Sequence, residues 1–366
     1  MHRLTPLAES LPATVPFVGP ETQERSRGRP FAARLGANES GFGPSPRAVE
    51  AMARAARDAW MYGDPEVHDL RHALAAHHGV PVESIVAGEG IDGLQAYLVR
   101  LLVAPGDAVV TSLGAYPTFA FHVAGNGGSL HAVPYRDDRE DLHALAAKAR
   151  ETGAKLVYLA NPDNPMGSWH GADAVTRFLG DLPEGTVLCL DEAYADLAPA
   201  EAIPPLDPTD GRVIRMRTFS KAHGLAGLRV GYAVAHPALA GAFDRIRNHF
   251  GLGRVAQAGA LAALEDGAWL DHVRAEVARS RERIAGIARA NGLQPLPSAA
   301  NFVAVDCGRD GAFARRVLDA LGARGVFVRM PGVAPLDRCI RVSCGPEPDM
   351  ARLGEALPEA LRDARA

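Results

Sequence analysis

The feature that most limits the fold is a series of short β-rich apolar runs spread over the first two thirds of the chain. Ser84–Ala87, Ala108–Thr111, Ser129–Val133, Lys155–Ala160, Thr186–Asp191, Arg212–Arg217 and Arg229–Val234 read as strands, most of them separated by a helical or loop segment. Runs of this kind predict strands of a mostly parallel sheet, covered by helices on both faces. The expectation is an α/β domain with a seven-stranded sheet.

The rest of the chain arranges itself around that sheet. Residues 1–37 carry Pro6, Pro12, Pro16, Pro20 and Pro30 without periodicity and read as an extended arm laid over the body. After the turn-rich Gly41–Pro46, helices are expected over Arg47–Ala59, with Ser45 as N-cap and Pro46 at the first position, and over Glu66–His77. Trp269–Ala290 reads as a long amphipathic connector, followed by a smaller α+β unit. Its strands are Asn301–Val305, Gly325–Arg329 and Cys339–Ser343, with helices near Gly311–Leu321 and Asp349–Arg362. The expected division is an arm over 1–37, packing on the small domain and active site, a large domain over 38–266 and a small domain over 267–366. A length of 366 residues suits two domains sharing a cleft.

A net charge of −4 without a basic stripe argues against nucleic acid or an acidic membrane as partner. No apolar run approaches a membrane span and the N-terminus lacks a signal-peptide core, so a cytoplasmic protein with a small-molecule partner is expected. Cys189, Cys307, Cys339 and Cys344 have no C-x-x-C spacing, and His68 and His72 read as a solvated or packed helix face. Neither a disulfide framework nor a metal site is expected.

Chemistry concentrates where the predicted strands end. Thr218-Phe219-Ser220-Lys221-Ala222-His223 places one lysine between a β-rich run and a glycine-broken apolar segment, with Arg229 eight residues on. A half-buried ammonium is costly, so such a lysine either pairs with an acid or serves as an amine that forms a Schiff base. Ser220 and Arg229 offer a nearby phosphate a hydroxyl and a permanent cation. Gly88-Glu89-Gly90-Ile91-Asp92-Gly93 matches G-x-G-x-x-G, but no acid ends the following strand, so the dinucleotide reading fails. Free amides at that helix start still favour a phosphate.

Asp191, ending the most apolar strand, is either a salt-bridge or cap residue or a carboxylate that keeps a heterocyclic nitrogen protonated. Asn161-Pro162-Asp163-Asn164-Pro165 follows another strand and by itself is a double turn. Tyr116 could stack on an aromatic ligand or pack as core. Arg341, in an apolar strand, calls for a bidentate anion or an internal ion pair.

Together these pieces resemble the fold-type I pyridoxal-phosphate aminotransferases of class I/II, and among them the histidinol-phosphate aminotransferase branch. The resemblance runs from about Leu35 to Ser343, and its most specific motif is Ser220-Lys221-Ala222 with Gly227-Leu228-Arg229-Val230-Gly231-Tyr232. It implies pyridoxal 5'-phosphate as cofactor, with Lys221 as Schiff-base lysine and proton shuttle and Asp191 on the pyridine nitrogen. Asn164 and Tyr194 would bond the ring's 3-oxygen, and Tyr116 would stack on the ring. The Gly90-Ile91-Asp92 backbone, Ser220 and Arg229 would hold the phosphate. Tyr62 would reach the partner's phosphate in a homodimer. On the substrate side it implies Arg341 and Arg329, with Asn38 in the pocket-lining segment.

The implied reaction is amino transfer, with glutamate and 2-oxoglutarate as the expected couple and histidinol phosphate or an aromatic or other amino acid as the other substrate. A decarboxylase or lyase on the same fold is the alternative. Phe17, Met61, Met166 and His223 depart from residues usual in the family, and Phe17 lacks a phosphate-side hydroxyl.

Overall fold

The structure is a computed structural model and describes residues 3–13 and 18–366; Phe17 lies outside the described residues. Twelve strands are described: β1 (Ala33–Arg34), β2 (Ile85–Gly88), β3 (Ala108–Ser112), β4 (Ser129–Val133), β5 (Leu156–Ala160), β6 (Val187–Asp191), β7 (Val213–Thr218), β8 (Gly231–Ala235), β9 (Gln294–Pro295), β10 (Phe302–Asp306), β11 (Val326–Phe327) and β12 (Cys339–Ser343). Seven form one sheet in the order β2-β8-β7-β6-β5-β3-β4. Only β8 runs against its neighbours; the other six are parallel, so the expected α/β architecture is the observed one.

Both faces of this sheet are covered, which is why its strands carry no polar alternation. Leu156, Tyr158 and Ala160 face one apolar cluster with Leu94, Leu98 and Phe119 of the covering helices. Val157 and Leu159 face the opposite cluster with Leu145, Phe178 and Leu188. The side-chain period of two is therefore obeyed by residues that are apolar on both sides.

The same alternation separates two neighbouring acids. Asp191 shares its face with Tyr158 and Cys189, whereas Glu192 points the other way, to Arg215 and Arg217 of β7. Glu192 Oε1 lies 2.5 Å from Arg215 Nη2 and its Oε2 2.9 Å from Arg217 Nε. These side chains are 1%, 5% and 11% exposed. The two guanidiniums hold the Glu192 carboxyl below its ordinary range although burial pushes it up.

Local rules set most helix limits. Ser45 caps Pro46–Ala55 as expected, its Oγ accepting from the amides of Arg47 and Ala48. The next helix begins at His68 rather than Glu66, because the Asp64 carboxylate takes the amides of Glu66 and His68 and Val67 turns to φ 52°. The N-terminal segment is not simply extended: Pro6–Ser10 and Pro20–Arg27 are helices, each with proline at its start, where a missing N–H costs nothing. β1 then pairs in parallel with β11.

The helix Gly267–Ala290 sets Val273, Val277, Ile284 and Ile287 against Val303, Val305, Phe313 and Leu353, beside the antiparallel sheet β12-β10-β9. Among the described residues no helix is long and apolar enough to cross a membrane.

Removing the charge of Glu192 strands two buried guanidiniums. Glu192→Gln should cost about 3–5 kcal/mol, whereas Glu355→Gln, on the exposed pair with Arg352, should cost less than about 1 kcal/mol. Urea unfolding midpoints of the two variants measure the contrast, and equal shifts would refute it.

Candidate active site

The carboxyl ends of the parallel strands share one edge of the sheet, and the chain leaves that edge in loops that converge on a cavity of about 260 Å³. β2 leads to Ile91 and Asp92, β3 to Tyr116, β5 to Asn164, β6 to Asp191 and Tyr194, and β7 to Ser220 and Lys221. Because β8 runs in reverse, Arg229, just before it, arrives at the same edge. Asn38 and Arg341 close the cavity from the side of the small sheet.

One end of the cavity is built for an anion. The helix Gly90–Leu102 begins there, and a side chain at Gly90, whose φ is +77°, would sit 2.6 Å from Arg229 Nη2. A β-carbon at Gly231 would come within 2.9 Å of Gly90 Cα, so two glycines let the backbone and the guanidinium meet. Arg229 Nη1 donates to Ser220 Oγ at 3.2 Å, and Thr218 Oγ1 donates to the same hydroxyl at 3.0 Å. Helix amides, a hydroxyl and a guanidinium thus stand together.

The wall of the cavity carries an acid and an amine. Asp191 is 5% exposed; its Oδ2 accepts from Tyr158 Oη at 2.8 Å and Gln95 Nε2 at 3.2 Å, and its Oδ1 from the Ala193 amide at 3.0 Å. Burial outweighs these donors and raises its pKa to about 6. Lys221 Nζ donates to the Asn38 carbonyl at 3.1 Å. Burial, then the charges of Arg341 and Arg229, lower its pKa to about 8. The amine is thereby moved toward the neutral form that chemistry on a carbonyl requires.

Asn38 is more than pocket lining. Its backbone is left-handed at φ 55°, a conformation asparagine tolerates. Its carbonyl accepts from Lys221 and from Asn301 Nδ2 at 3.0 Å. Its side chain donates to Tyr194 Oη at 3.1 Å and accepts from Ser343 Oγ at 2.9 Å. Asn164 Nδ2 also donates to Tyr194 Oη, at 3.3 Å, and burial raises the pKa of that phenol.

A second cavity, about 280 Å³, adjoins the first and shares Ala37, Tyr116, Asn164 and Arg341 with it. Arg329 and Arg341 both line it, tied by a backbone bridge in which the Arg341 amide donates to the Arg329 carbonyl at 2.6 Å. Arg341 Nη1 donates to Asn164 Oδ1 at 2.5 Å, Nη2 donates to the Gly36 carbonyl at 3.1 Å, and Nε is buried without a partner. Arg329 Nη2 donates to the Val18 carbonyl at 2.5 Å. Among the described residues neither guanidinium has a carboxylate in salt-bridge range, so the internal ion pair considered for Arg341 is not what occupies it.

The residues picked from sequence therefore meet at this site, with one exception: Tyr62 is 78% exposed, packs on the Phe250 ring at 4.8 Å and lies outside the cavity. Glu39, Gln95, Tyr158 and Thr218 line it and were not anticipated. Gln95 had a signal, a polar residue one turn after Ile91 on the buried face of an apolar helix. Two departures prove to be packing matters. Met166 is buried with Ala304, Leu336 and Cys339, and the buried His223 rests on the Phe219 ring at 4.9 Å.

The family model for aminotransferase class I and II matches residues 33–357. The chain is 35% identical over 361 residues to the histidinol-phosphate aminotransferase of Moorella thermoacetica, covering 98% of this chain and 92% of that one. It is 37% identical to that of Roseiflexus castenholzii, covering 96% of each. The crystal structure of histidinol-phosphate aminotransferase from Sinorhizobium meliloti in complex with pyridoxal-5'-phosphate superposes with a TM-score of 0.96 at 56% identity, over 99% of this chain and 98% of that one.

A lysine whose pKa falls on folding weakens the fold below that lowered value. Lys221→Met should raise the melting temperature of the cofactor-free protein at pH 7. The gain should shrink as pH rises from about 8 toward 10.5, where the wild-type unfolded chain gives up the same proton. A gain that is flat from pH 7 to 11 would exclude a buried, depressed amine.

Proposed function

The chain belongs to the aminotransferase class I and II family, and on that premise we propose that it is a pyridoxal-phosphate-dependent transaminase for histidinol phosphate, with 2-oxoglutarate and glutamate as the other couple. The residues present fit the cofactor. Its phosphate matches the amides at Gly90-Ile91-Asp92, Ser220 and Arg229, where a side chain on Gly90 would fill the cradle. Asp191 would take the ring nitrogen, Asn164 and Tyr194 the ring oxygen, and Tyr116 would stack on the ring. When bound, pyridoxal phosphate supplies an aldehyde for amines and an electron sink for the substrate's Cα.

The chain's own groups do the rest. Lys221 Nζ, whose pKa burial lowers to about 8 so that it gives up its proton far more readily than a free lysine, would take the Cα proton and hand it to the cofactor carbon. Asp191 would hold positive charge on the ring nitrogen, and Tyr194, kept protonated by burial, would offer its hydroxyl hydrogen to the ring oxygen. The Asn38 carbonyl, itself held by Asn301, anchors Lys221 Nζ at the cavity wall.

The observation that carries the substrate assignment is the pair Arg329 and Arg341. Two guanidiniums without a carboxylate, in a cavity that opens onto the first, suit a doubly charged phosphate at the far end of the amine. Tyr62, exposed beside Phe250, supports a homodimer in which it reaches the second copy's phosphate cradle. The fold and small substrates are in keeping with a cytoplasmic enzyme, with an N-terminal arm over 1–37 and large and small domains meeting near residue 266.

Half-reactions with a panel of amines test this reading. Histidinol phosphate should convert the holoenzyme roughly 10²-fold more efficiently than histidinol, since each charged hydrogen bond to the phosphate is worth about 1.5–3 kcal/mol. Arg329→Ala should erase most of that margin and leave histidinol turnover nearly unchanged. Lys221→Ala should lose the visible absorbance of the lysine-bound cofactor and all turnover. Equal efficiency toward the two amines, or a preference for phenylalanine or aspartate, would reject the phosphate assignment.

A further inference from the structure

Asp191 does not stand alone in its wall, and the two side chains that hold it have no other evident use. Tyr158 lies in β5 between Leu156 and Ala160, its ring stacked on Phe119 with centroids 4.7 Å apart. Phenylalanine would pack there equally well, yet a hydroxyl is present, and its one hydrogen bond goes to Asp191 Oδ2 at 2.8 Å. Gln95 is 1% exposed on the inward face of Gly90–Leu102, among Ile91, Leu94 and Leu98. Its Nε2 donates to the same oxygen, while its Oε1 is buried with no partner. A buried amide with an orphaned oxygen is a net cost that an apolar side chain would avoid. The bond to Asp191 is the compensation the site provides.

Resting on the assignment of Asp191 to the cofactor's ring nitrogen, we infer that Tyr158 and Gln95 are positioning residues that keep Asp191 ionised and oriented for that nitrogen. Two donors on Oδ2 and the Ala193 amide on Oδ1 fix the carboxylate plane from three elements, β5, the covering helix and its own loop. Donors to the charged form favour it. They oppose the burial that pushes Asp191 up, and the other charges around it divide: Lys221 also favours the carboxylate, while Glu192 beside it disfavours it. Glu140, Cys189 and Tyr194 complete the titratable groups that feel Asp191. Without the two donors the wall would hold a carboxyl group that is more often neutral, and a neutral acid does not hold a proton on a pyridine.

The test uses Tyr158→Phe and Gln95→Leu, both close to the native volumes, each with and without Asp191→Asn. In cofactor-free protein, the contribution of Asp191 to thermal stability, read as the difference from the matching Asp191→Asn protein, should fall with rising pH as the buried carboxyl is forced to ionise, and level off above its pKa. Either variant should move that levelling point up by about one pH unit, which is a tenfold change in proton affinity. Either should also weaken pyridoxal phosphate binding by about tenfold in an equilibrium titration. Both effects should vanish in the Asp191→Asn background. An unmoved levelling point and unchanged cofactor affinity in both variants would overturn the proposal. So would losses that persist undiminished beside Asp191→Asn, because they would be structural. Cofactor affinity that Asp191→Asn itself leaves intact would overturn the underlying assignment, and this proposal with it.

Discussion

An acid and an amine are held in one cavity, largely out of water, without a salt bridge between them. Lys221 spends its hydrogen bond on the Asn38 carbonyl, and Asp191 takes its own from Tyr158, Gln95 and a backbone amide. Burial therefore moves each toward its neutral form, the amine down to about 8 and the carboxyl up to about 6. A direct pair would have cancelled that effect, leaving a stable ion pair and an inert amine. The fold's main task is to keep the two apart, with Asp191 buried and Lys221 half-buried.

The sheet achieves this by strand order. β6 and β7 are neighbours, so Asp191 and Lys221 leave adjacent strands at the same edge, and the alternation of side chains sends Glu192 to the opposite face. There its one carboxylate bridges Arg215 and Arg217. One acidic dipeptide thus serves two purposes, the first residue for the cavity and the second for the structure. The salt bridge considered for Asp191 is found one residue on, at Glu192, while Asp191 itself takes hydrogen bonds from Tyr158, Gln95 and the Ala193 amide.

Much of this was legible in the sequence because strands buried on both faces must be apolar throughout, and polar residues then stand out where they end. Lys221, Asp191, Ser220 and Tyr116 were visible for that reason, and Asn164 only through the family resemblance, since its motif alone reads as a double turn. Tyr158 was not, since a tyrosine in a strand acquires meaning only when the fold brings it to Asp191, and the signal Gln95 gives, a polar residue on a buried helix face, names no partner. The arm misled for a different reason: proline suits an extended chain and the first turn of a helix alike, and only capping partners such as Thr5 distinguish the two. The late start at His68 likewise depended on a side chain, Asp64, competing for helix amides.

The two anion-binding ends of the site differ in a way that bears on exchange. At the Gly90 end, amides, a hydroxyl and Arg229 are fixed by backbone packing so tight that two glycines are required, and Arg229 is itself anchored to Ser220. At the other end, Arg329 and Arg341 hang from a short backbone bridge and make their side-chain hydrogen bonds to neutral acceptors, Val18, Gly36 and Asn164. Neutral acceptors hold a guanidinium in place without discharging it, so the second cavity keeps its full attraction for an incoming anion and gives it up again when that anion leaves. A rigid cradle suits a resident group, and an uncompensated pair of cations suits one that must come and go with each turnover. The order of the ends follows from the chain: the first is made within the large sheet, the second where the small sheet and the arm meet it.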